Sequence, residues 1–473
     1  MKLLTNAPAF YNDISESIRA FFDVETITVT EDPTEEADMT VTETLADGFV
    51  TDTALFRGQT GTAEATFDPN DPVQEKRARR HTAKLAAYYA LKAATGRKMP
   101  WGSLTGIRPT KLYRELSPDS IEKLRDHYDL PEQKGRLLER IVHEQEPFFT
   151  PDKQDMDVYI GIPFCRTRCT YCSFSTTDST KGEKLMIPYV AALKREIAET
   201  SAYLKEKGRR IRCLYIGGGT PTALTEPLFE EMLECATMHF KPAVEFTVEA
   251  GRPDTITERK LRAMKNAGVN RISINPQSMN AETLKIVGRS HTPEEICDCF
   301  ALARRIGFET INADVIAGLP GETPEIFENT LERVLALEAE NITVHTLAIK
   351  RGSKLFEKNY RPVNAEDVQA MVEGALETLS ARGYEPYYLY RQKYMTGNFE
   401  NIGYTKPGHT GVYNIDIMEE TTDITALGCG AVSKRIIPEE NRIERAFNFK
   451  SIYEYIDRIG EATARKAELF DFQ

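Results

Sequence analysis

Long apolar runs are missing from this chain. Nowhere in its 473 residues do 18 consecutive apolar side chains occur, so no membrane-spanning helix is expected. The opening stretch Met1-Lys-Leu-Leu-Thr-Asn-Ala-Pro-Ala-Phe10 lacks the charged segment, apolar run and cleavage site of a signal peptide. Eight cysteines are too few for a disulfide scaffold in a chain this long. Their distribution, three clustered and five scattered, suits a reducing cytosol, and a cytoplasmic location is expected. Positive charge is also in deficit: 60 Lys and Arg against 72 Asp and Glu leave a net charge of −12, which argues against nucleic acid as the main partner. An anionic substrate would then have to meet a local basic patch. Core-forming residues are not short. A hydrophobic content of 41% supports one large domain plus an appendage.

What is present centres on Asp157-Val-Tyr-Ile-Gly-Ile-Pro-Phe-Cys-Arg-Thr-Arg-Cys-Thr-Tyr-Cys172, where Cys165, Cys169 and Cys172 stand at CxxxCxxC spacing just after an apolar strand. Three thiolates on one loop can converge on one metal centre. A four-iron cubane takes four ligands; three leave one iron open, and an open position is what lets a metal act on a bound molecule. The competing reading, a closed structural zinc site, needs four ligands, and the loop holds no fourth Cys or His.

The remainder divides into three stretches. Residues 1–150 read as an α+β accessory domain: a helix over 10–22, short antiparallel strands between 26 and 67, a helix from Asp71-Pro72 to Gly96, and two helices near 119–127 and 131–145. The Trp101–Lys111 loop holds the only tryptophan, and the Lys76-to-Lys92 helix face is basic. Over 151–350, strands at 158–162, 212–216, 244–248, 270–274, 310–316 and 342–347 alternate with helical patterns. Such alternation makes a parallel sheet with right-handed crossovers. Six units suit a three-quarter barrel, though a doubly wound sheet has the same alternation; in either, the active site lies at the C-terminal strand ends. There the chain places Gly217-Gly-Gly-Thr-Pro221, Glu249, Gln277, Arg289 and Asp314. Beyond residue 350 come a helix over 365–381, a small mixed sheet from 413–417, 424–427 and 444–449, and a last helix from Ser451.

The cysteine loop, followed about fifty residues later by Gly217-Gly-Gly-Thr-Pro221, resembles the radical S-adenosylmethionine enzymes. Tyr159-Ile-Gly-Ile-Pro-Phe-Cys165 and Gly217-Gly-Gly-Thr-Pro-Thr222 resemble, within them, the oxygen-independent coproporphyrinogen III oxidase family, in its Gram-positive-type subgroup with an extra N-terminal domain. The resemblance runs from about residue 155 to about 460 and decides for an α/β fold with a partial, three-quarter (β/α)6 barrel and an α+β extension over 351–473. It implies a 4Fe–4S cluster on Cys165, Cys169 and Cys172. It implies S-adenosylmethionine contacts from Tyr159, Tyr171, Gly218, Gly219, Thr220, Glu249, Gln277, Arg289, Asp314 and Ala348. The implied reaction is oxidative decarboxylation of two propionates of a porphyrinogen to vinyl groups, with a flavodoxin or ferredoxin as electron donor.

Two departures bear on the substrate. Relatives commonly read Tyr-x-His-Ile-Pro before the first cysteine, whereas this chain has Gly161 at the middle position, and Ser173-Phe174-Ser175 lacks a further cysteine after the loop. Two rivals therefore stand beside the oxidase reading: a haem-binding or haem-delivery protein that keeps the cluster, with His291 or His409 as iron ligand, and another radical reaction on a tetrapyrrole, such as methyl transfer. Lys350 and Arg351 are candidates to meet substrate carboxylates. Cys213, Cys235, Cys297 and Cys299 read as small buried apolar residues.

Overall fold

The computed structural model describes every residue except 23, 25, 107, 150, 181, 393, 394, 441, 472 and 473. The chain divides into two compact units, Met1–Glu139 and Arg140–Gln473. No helix among the described residues is long and apolar enough to cross a membrane.

In the first unit, β1 (Lys2–Thr5), β2 (Thr28–Thr30), β3 (Met39–Ala46), β4 (Phe49–Phe56) and β5 (Gln59–Thr66) form one sheet in the order β2-β1-β3-β4-β5. Helix α1 (Tyr11–Phe21) and the long α2 (Pro72–Thr95) pack on it. The start of α2 is set by Asp71, whose carboxylate accepts from the Val73 and Gln74 amides at 2.9 and 3.1 Å, and by Pro72 behind it. Its end is set by Gly96 at φ +68°. The buried face of α2 is alanine-rich, and the sheet comes close: a Cβ on Gly61 would lie 2.3 Å from the Ala86 carbonyl oxygen. Two basic side chains of this helix are engaged within the unit. Arg79 pairs with Glu43 and Glu75 at 2.6 and 3.0 Å, and Lys92 with Asp129 at 2.5 Å. Trp101 is fully buried, with Lys134 Nζ 5.6 Å above its ring. Helices α3 (Pro109–Glu115) and α4 (Ser120–Tyr128) follow, and α5 (Glu132–Gln145) carries the chain into the second unit.

The second unit holds an open barrel. Its parallel strands are β6 (Asp155–Ile162), β9 (Arg210–Gly218), β10 (Glu245–Gly251), β11 (Arg271–Ile274), β12 (Thr310–Ala317) and β13 (Asn341–Thr346). A two-stranded ribbon, β7 (Phe164–Cys165) with β8 (Thr177–Asp178), frames the cysteine loop. Helices α6 (Glu183–Glu206), α7 (Glu226–His239), α8 (Glu258–Asn266), α9 (Ala281–Ile286), α10 (Pro293–Ile306) and α11 (Pro324–Leu335) make the crossovers. A capping box at Thr292 and Glu295 fixes the start of α10.

Beyond residue 350 the strands expected as a small mixed sheet join the barrel sheet at its edges. After α12 (Lys354–Glu357) and α13 (Ala365–Ala381), strands β14 (Glu385–Tyr390) and β15 (Asn401–Thr405) extend the barrel sheet antiparallel beyond β13. At the other edge β16 (Asp423–Leu427) adds parallel to β6, followed by antiparallel β17 (Val432–Ile437) and β18 (Arg442–Phe447). The full order is β14-β15-β13-β12-β11-β10-β9-β6-β16-β17-β18. The stretch expected as a strand at 413–417 is instead helix α14 (Val412–Glu419), with Val412, Ile415, Asp416 and Glu419 buried at helical spacing. Five residues of apolar and polar alternation, Tyr413-Asn-Ile-Asp-Ile417, carry too little periodicity to separate the two. Helices α15 (Ile452–Asp457) and α16 (Ile459–Asp471) close the chain and bury Lys466 against Glu196 of α6.

Candidate active site

The cysteine loop is tied to the ends of four barrel units. The Gly219 amide donates to the Ile162 carbonyl at 2.7 Å and the Thr220 amide to the Phe164 carbonyl at 2.8 Å, which lays the glycine turn of β9 along the strand that delivers Cys165. This approach is why glycine is needed. A Cβ on Gly218, at φ +111°, would sit 2.7 Å from the Ile162 amide nitrogen, and one on Gly219 would sit 3.0 Å from Cys165 Sγ. Thr220 Oγ1 lies 3.5 Å from Cys165 Sγ. From the turn between α9 and α10, the Val287 carbonyl accepts from the Thr170 amide at 2.9 Å, and Arg289 Nη1 reaches to 4.0 Å of Cys169 Sγ and 3.4 Å of Tyr171 Oη. Burial raises the Cys165 and Cys172 thiols above their ordinary range, and the neighbouring cysteines add to it. Buried thiols of this kind become thiolates when a cationic centre holds them, and with Cys169 beside them the donor set fits an iron–sulfur cluster.

A second group lines the barrel interior below the loop. Glu249, on β10, accepts from Tyr215 Oη at 2.6 Å. Burial, joined by the charge of Asp314, pushes its carboxyl up to about 7. Asp314, on β12, accepts from Asn312 Nδ2 at 2.7 Å and lies 3.8 Å from His345 Nε2. Burial alone would raise Asp314, but His345 and Asn312 outweigh it and hold the carboxyl below its usual range. Gln277 adopts φ +66°, and its amide and carbonyl bridge to Asp314 O and Ile316 N at 2.8 and 3.0 Å. A non-glycine residue in that region costs roughly 1–3 kcal/mol, here offset by two backbone bonds that keep it at the strand end. Arg289 Nη2 donates to the Asn275 carbonyl at 2.7 Å, while its buried Nε has no partner among the described residues. An unsatisfied buried guanidinium donor beside the cysteines is suited to a carboxylate ligand.

Cys165, Cys169, Cys172, Tyr171, Gly218, Gly219, Thr220 and Arg289 thus come together directly. Glu249, Gln277 and Asp314 form the adjoining group. Tyr159 joins it through Tyr215, the two rings stacked at 6.2 Å and 19°, with Tyr413 of α14 continuing the stack at 4.5 Å. Ala348 follows β13 at the same end of the sheet and bridges Met395. His291 is buried, and burial together with Arg289 and Arg252 depresses it to about 3. His409 bonds Thr310 at 2.8 Å, at the N-terminal start of β12. His409 thus lies at the end of the strands away from the cysteine loop, whereas His291 sits beside Arg289 and Arg252, both of which touch that loop.

Arg252, His345 and Tyr215 belong to no motif in the sequence, yet the fold brings them to the site. Arg252 is buried and donates to the Thr167 carbonyl and hydroxyl at 3.0 and 2.8 Å and to Asp254 at 3.0 Å, bracing the cysteine loop from β10. Its position just after a strand end was the available signal. One further set of metal-type ligands, Asp157, Cys213 and Asp416, has its ligand atoms within 4.8 Å of one another. It is already satisfied: Asp416 accepts from Arg212 Nε at 2.8 Å, and Asp157 from the Cys213 amide and Thr422 Oγ1, both at 3.1 Å.

Comparison with known proteins agrees with this geometry. The model of the radical SAM superfamily matches residues 159–334. The chain is 39% identical over 423 residues to the oxygen-independent coproporphyrinogen-III oxidase-like protein HemZ of Bacillus subtilis (strain 168), covering 86% of this chain and 84% of that protein. It is 31% identical over 327 residues to the heme chaperone HemW of Escherichia coli (strain K12), covering 67% of this chain and 81% of that protein. Among solved structures, coproporphyrinogen III oxidase (HemN) from Escherichia coli superposes with a TM-score of 0.52 at 23% identity, over 68% of this chain and 73% of that chain; this similarity establishes a shared fold.

Proposed function

Since the chain belongs to the radical S-adenosylmethionine superfamily, among its oxygen-independent coproporphyrinogen-III oxidase-like proteins, with a 4Fe–4S cluster and S-adenosylmethionine as cofactors, we propose that it oxidatively decarboxylates propionates of coproporphyrinogen III to vinyl groups in haem biosynthesis. The observation that carries this reading is the convergence of the three cysteines, the glycine turn and the half-satisfied Arg289 on one end of the barrel. When bound and reduced, the two cofactors supply a 5′-deoxyadenosyl radical that takes a hydrogen atom from carbon.

The chain's own residues hold and orient. Cys165, Cys169 and Cys172 ligate the cluster. Arg289 offers Nε and the rest of its fork to the methionine carboxylate, while its Nη2 stays fixed on the Asn275 carbonyl. Asp314, ionised, accepts from an ammonium or a ribose hydroxyl, and Gln277 donates or accepts beside it. Gly218, Gly219 and Thr220 present backbone groups without side-chain obstruction. Tyr159, Tyr171 and Ala348 pack against the nucleotide, and the tyrosine stack excludes water from the interior. Lys350, half-buried near Cys172, meets a substrate carboxylate; burial lowers its ammonium pKa, and the cysteine opposes that shift. The setting is the cytoplasm, with a flavodoxin or ferredoxin as donor.

The test is anaerobic incubation with S-adenosylmethionine, reductant and coproporphyrinogen III, with mass spectrometry of the products. Loss of two carboxyl groups as CO2 with vinyl formation is expected. The similarity to a heme chaperone favours a second reading, haem delivery. No decarboxylation together with stoichiometric haem binding would select it, and cofactor cleavage without turnover of this substrate would point to another tetrapyrrole.

A further inference from the structure

Residues 350–361 read Lys350-Arg-Gly-Ser-Lys-Leu-Phe-Glu-Lys-Asn-Tyr-Arg361, five basic residues against the single acid Glu357, in a chain of net charge −12. The segment is strapped to the cysteine loop. The Leu355 amide donates to the Thr170 carbonyl at 3.0 Å, and the Arg168 guanidinium donates to the Gly352 carbonyl. Leu355 packs in a small apolar cluster with Tyr171 and Tyr360. Arg351, Lys354, Lys358 and Arg361 are exposed, and none forms an ion pair with a described residue. Arg166 and Arg168, exposed on the loop itself, extend the charge; Arg166 lies 3.9 Å from Asp254. Large apolar side chains are exposed on the same two segments: Phe356 is 45% exposed, and Phe174, two residues past Cys172, is 61% exposed.

Scattered lysines on a surface are merely solvated. Here cations of one sign and exposed aromatics are concentrated beside a redox site, the pattern of a docking face with aromatic anchors and a charged rim. We propose that this face docks a small acidic one-electron carrier protein of the flavodoxin or ferredoxin class. Charge complementarity steers such a partner, and the position of the face over Cys165–Cys172 gives it its purpose. In the step concerned one electron leaves the carrier and is taken up at the cysteine-bound cluster; no bond changes in the chain and no proton moves. A substrate polycarboxylate would be met by the half-buried Lys350 rather than by these exposed side chains, and a membrane surface would have no reason to coincide with the cysteines. The inference rests on the presence of the cluster and not on the identity of the substrate, so it stands or falls separately from the decarboxylase reading.

The experiment titrates an acidic flavodoxin against the cluster-loaded chain and against the triple variant Lys354→Glu, Lys358→Glu, Arg361→Glu. The Kd of the variant should be weaker by about tenfold or more at low salt, and the difference should shrink as ionic strength rises and screens the charges. Iron content and S-adenosylmethionine affinity should be unchanged. Carbodiimide cross-linking with peptide mass spectrometry should join flavodoxin carboxylates to Lys354 and Lys358, and the rate of one-electron reduction should fall with the binding. If the reversals lower iron loading, the milder pair Lys354→Gln, Lys358→Gln is compared at matched iron content, with a smaller loss in the same direction. An unchanged Kd with cross-links elsewhere overturns the proposal. So does loss of binding to anionic phospholipid vesicles, or of coproporphyrinogen affinity, while flavodoxin binding stays intact, which would assign the patch to a membrane or to the substrate.

Discussion

At the N-terminal end of the barrel strands, Arg212 lies 2.8 Å from Asp416, Arg209 lies 2.7 Å from Asp423, and Asp157 accepts from Thr422 and the Cys213 amide. At the C-terminal end, Glu249 is bonded to a neutral tyrosine, Asp314 accepts from the Asn312 amide with a histidine 3.8 Å away, and Arg289 Nε is unsatisfied. Both ends bury charge, but the arginines named at the first are paired with carboxylates, whereas Arg289 at the second is not. A buried ion pair with its hydrogen bonds complete has nothing to offer a ligand. Carboxylates and a guanidinium desolvated without full partners are destabilising until a ligand supplies the missing half, which is the usual condition of a functional site.

The difference can be broken most completely at the cysteines. Cys169→Ala should abolish iron retention, from about four irons per chain to none, read by metal analysis and loss of the visible chromophore. Cys213→Ser at the other end should keep the full iron content; zinc in place of iron in anaerobically prepared protein would refute the cluster assignment.

Next in size is the closed end. Asp416→Asn leaves Arg212 buried without its counter-charge and should cost about 3–5 kcal/mol, seen as a lower denaturant midpoint. S-adenosylmethionine affinity per folded molecule should not change. Arg289→Ala should do the reverse, weakening S-adenosylmethionine binding by about 10- to 100-fold with iron content retained. Loss of iron in that variant would mean that Arg289 supports the cluster and not the cofactor.

The Glu249 carboxyl, raised from 4.5 to about 7, makes the open end pH-sensitive. With the folded-state value above the unfolded one, its contribution to stability is full below about pH 4.5 and is lost as pH rises through about 7. For cofactor-free protein the loss is about 3 kcal/mol at most. Glu249→Gln keeps an acceptor for Tyr215, so it should flatten the stability profile between pH 5 and 8 while weakening cofactor binding. An unaltered profile would show that Glu249 is not the responsible group. The smallest effect is expected at Gly161, where an added Cβ meets Tyr159 Cε1 at 3.1 Å. Gly161→Ala should cost less than about 1 kcal/mol, measured by denaturation, because the tyrosine ring can give way.

The residues that sequence alone identified are those whose meaning lies in local spacing. CxxxCxxC, the glycine turn after the second strand and the alternation of strand and helix over 151–350 are all read within a few residues of themselves, and chain connectivity then dictates a parallel sheet with its site at one end. The tertiary structure decided what depends on partners far along the chain. Arg289 reaches Cys169 across 120 positions, Arg252 braces the loop at Thr167, and His345 meets Asp314 only because β13 pairs with β12 in that register. The final strands extend both edges of the barrel rather than forming a sheet of their own, and 412–419 winds into a helix because its buried face is defined by what packs on it. Whether a charge is matched or left waiting is a property of desolvation and of distance to every neighbour, and neither quantity exists until the chain has folded.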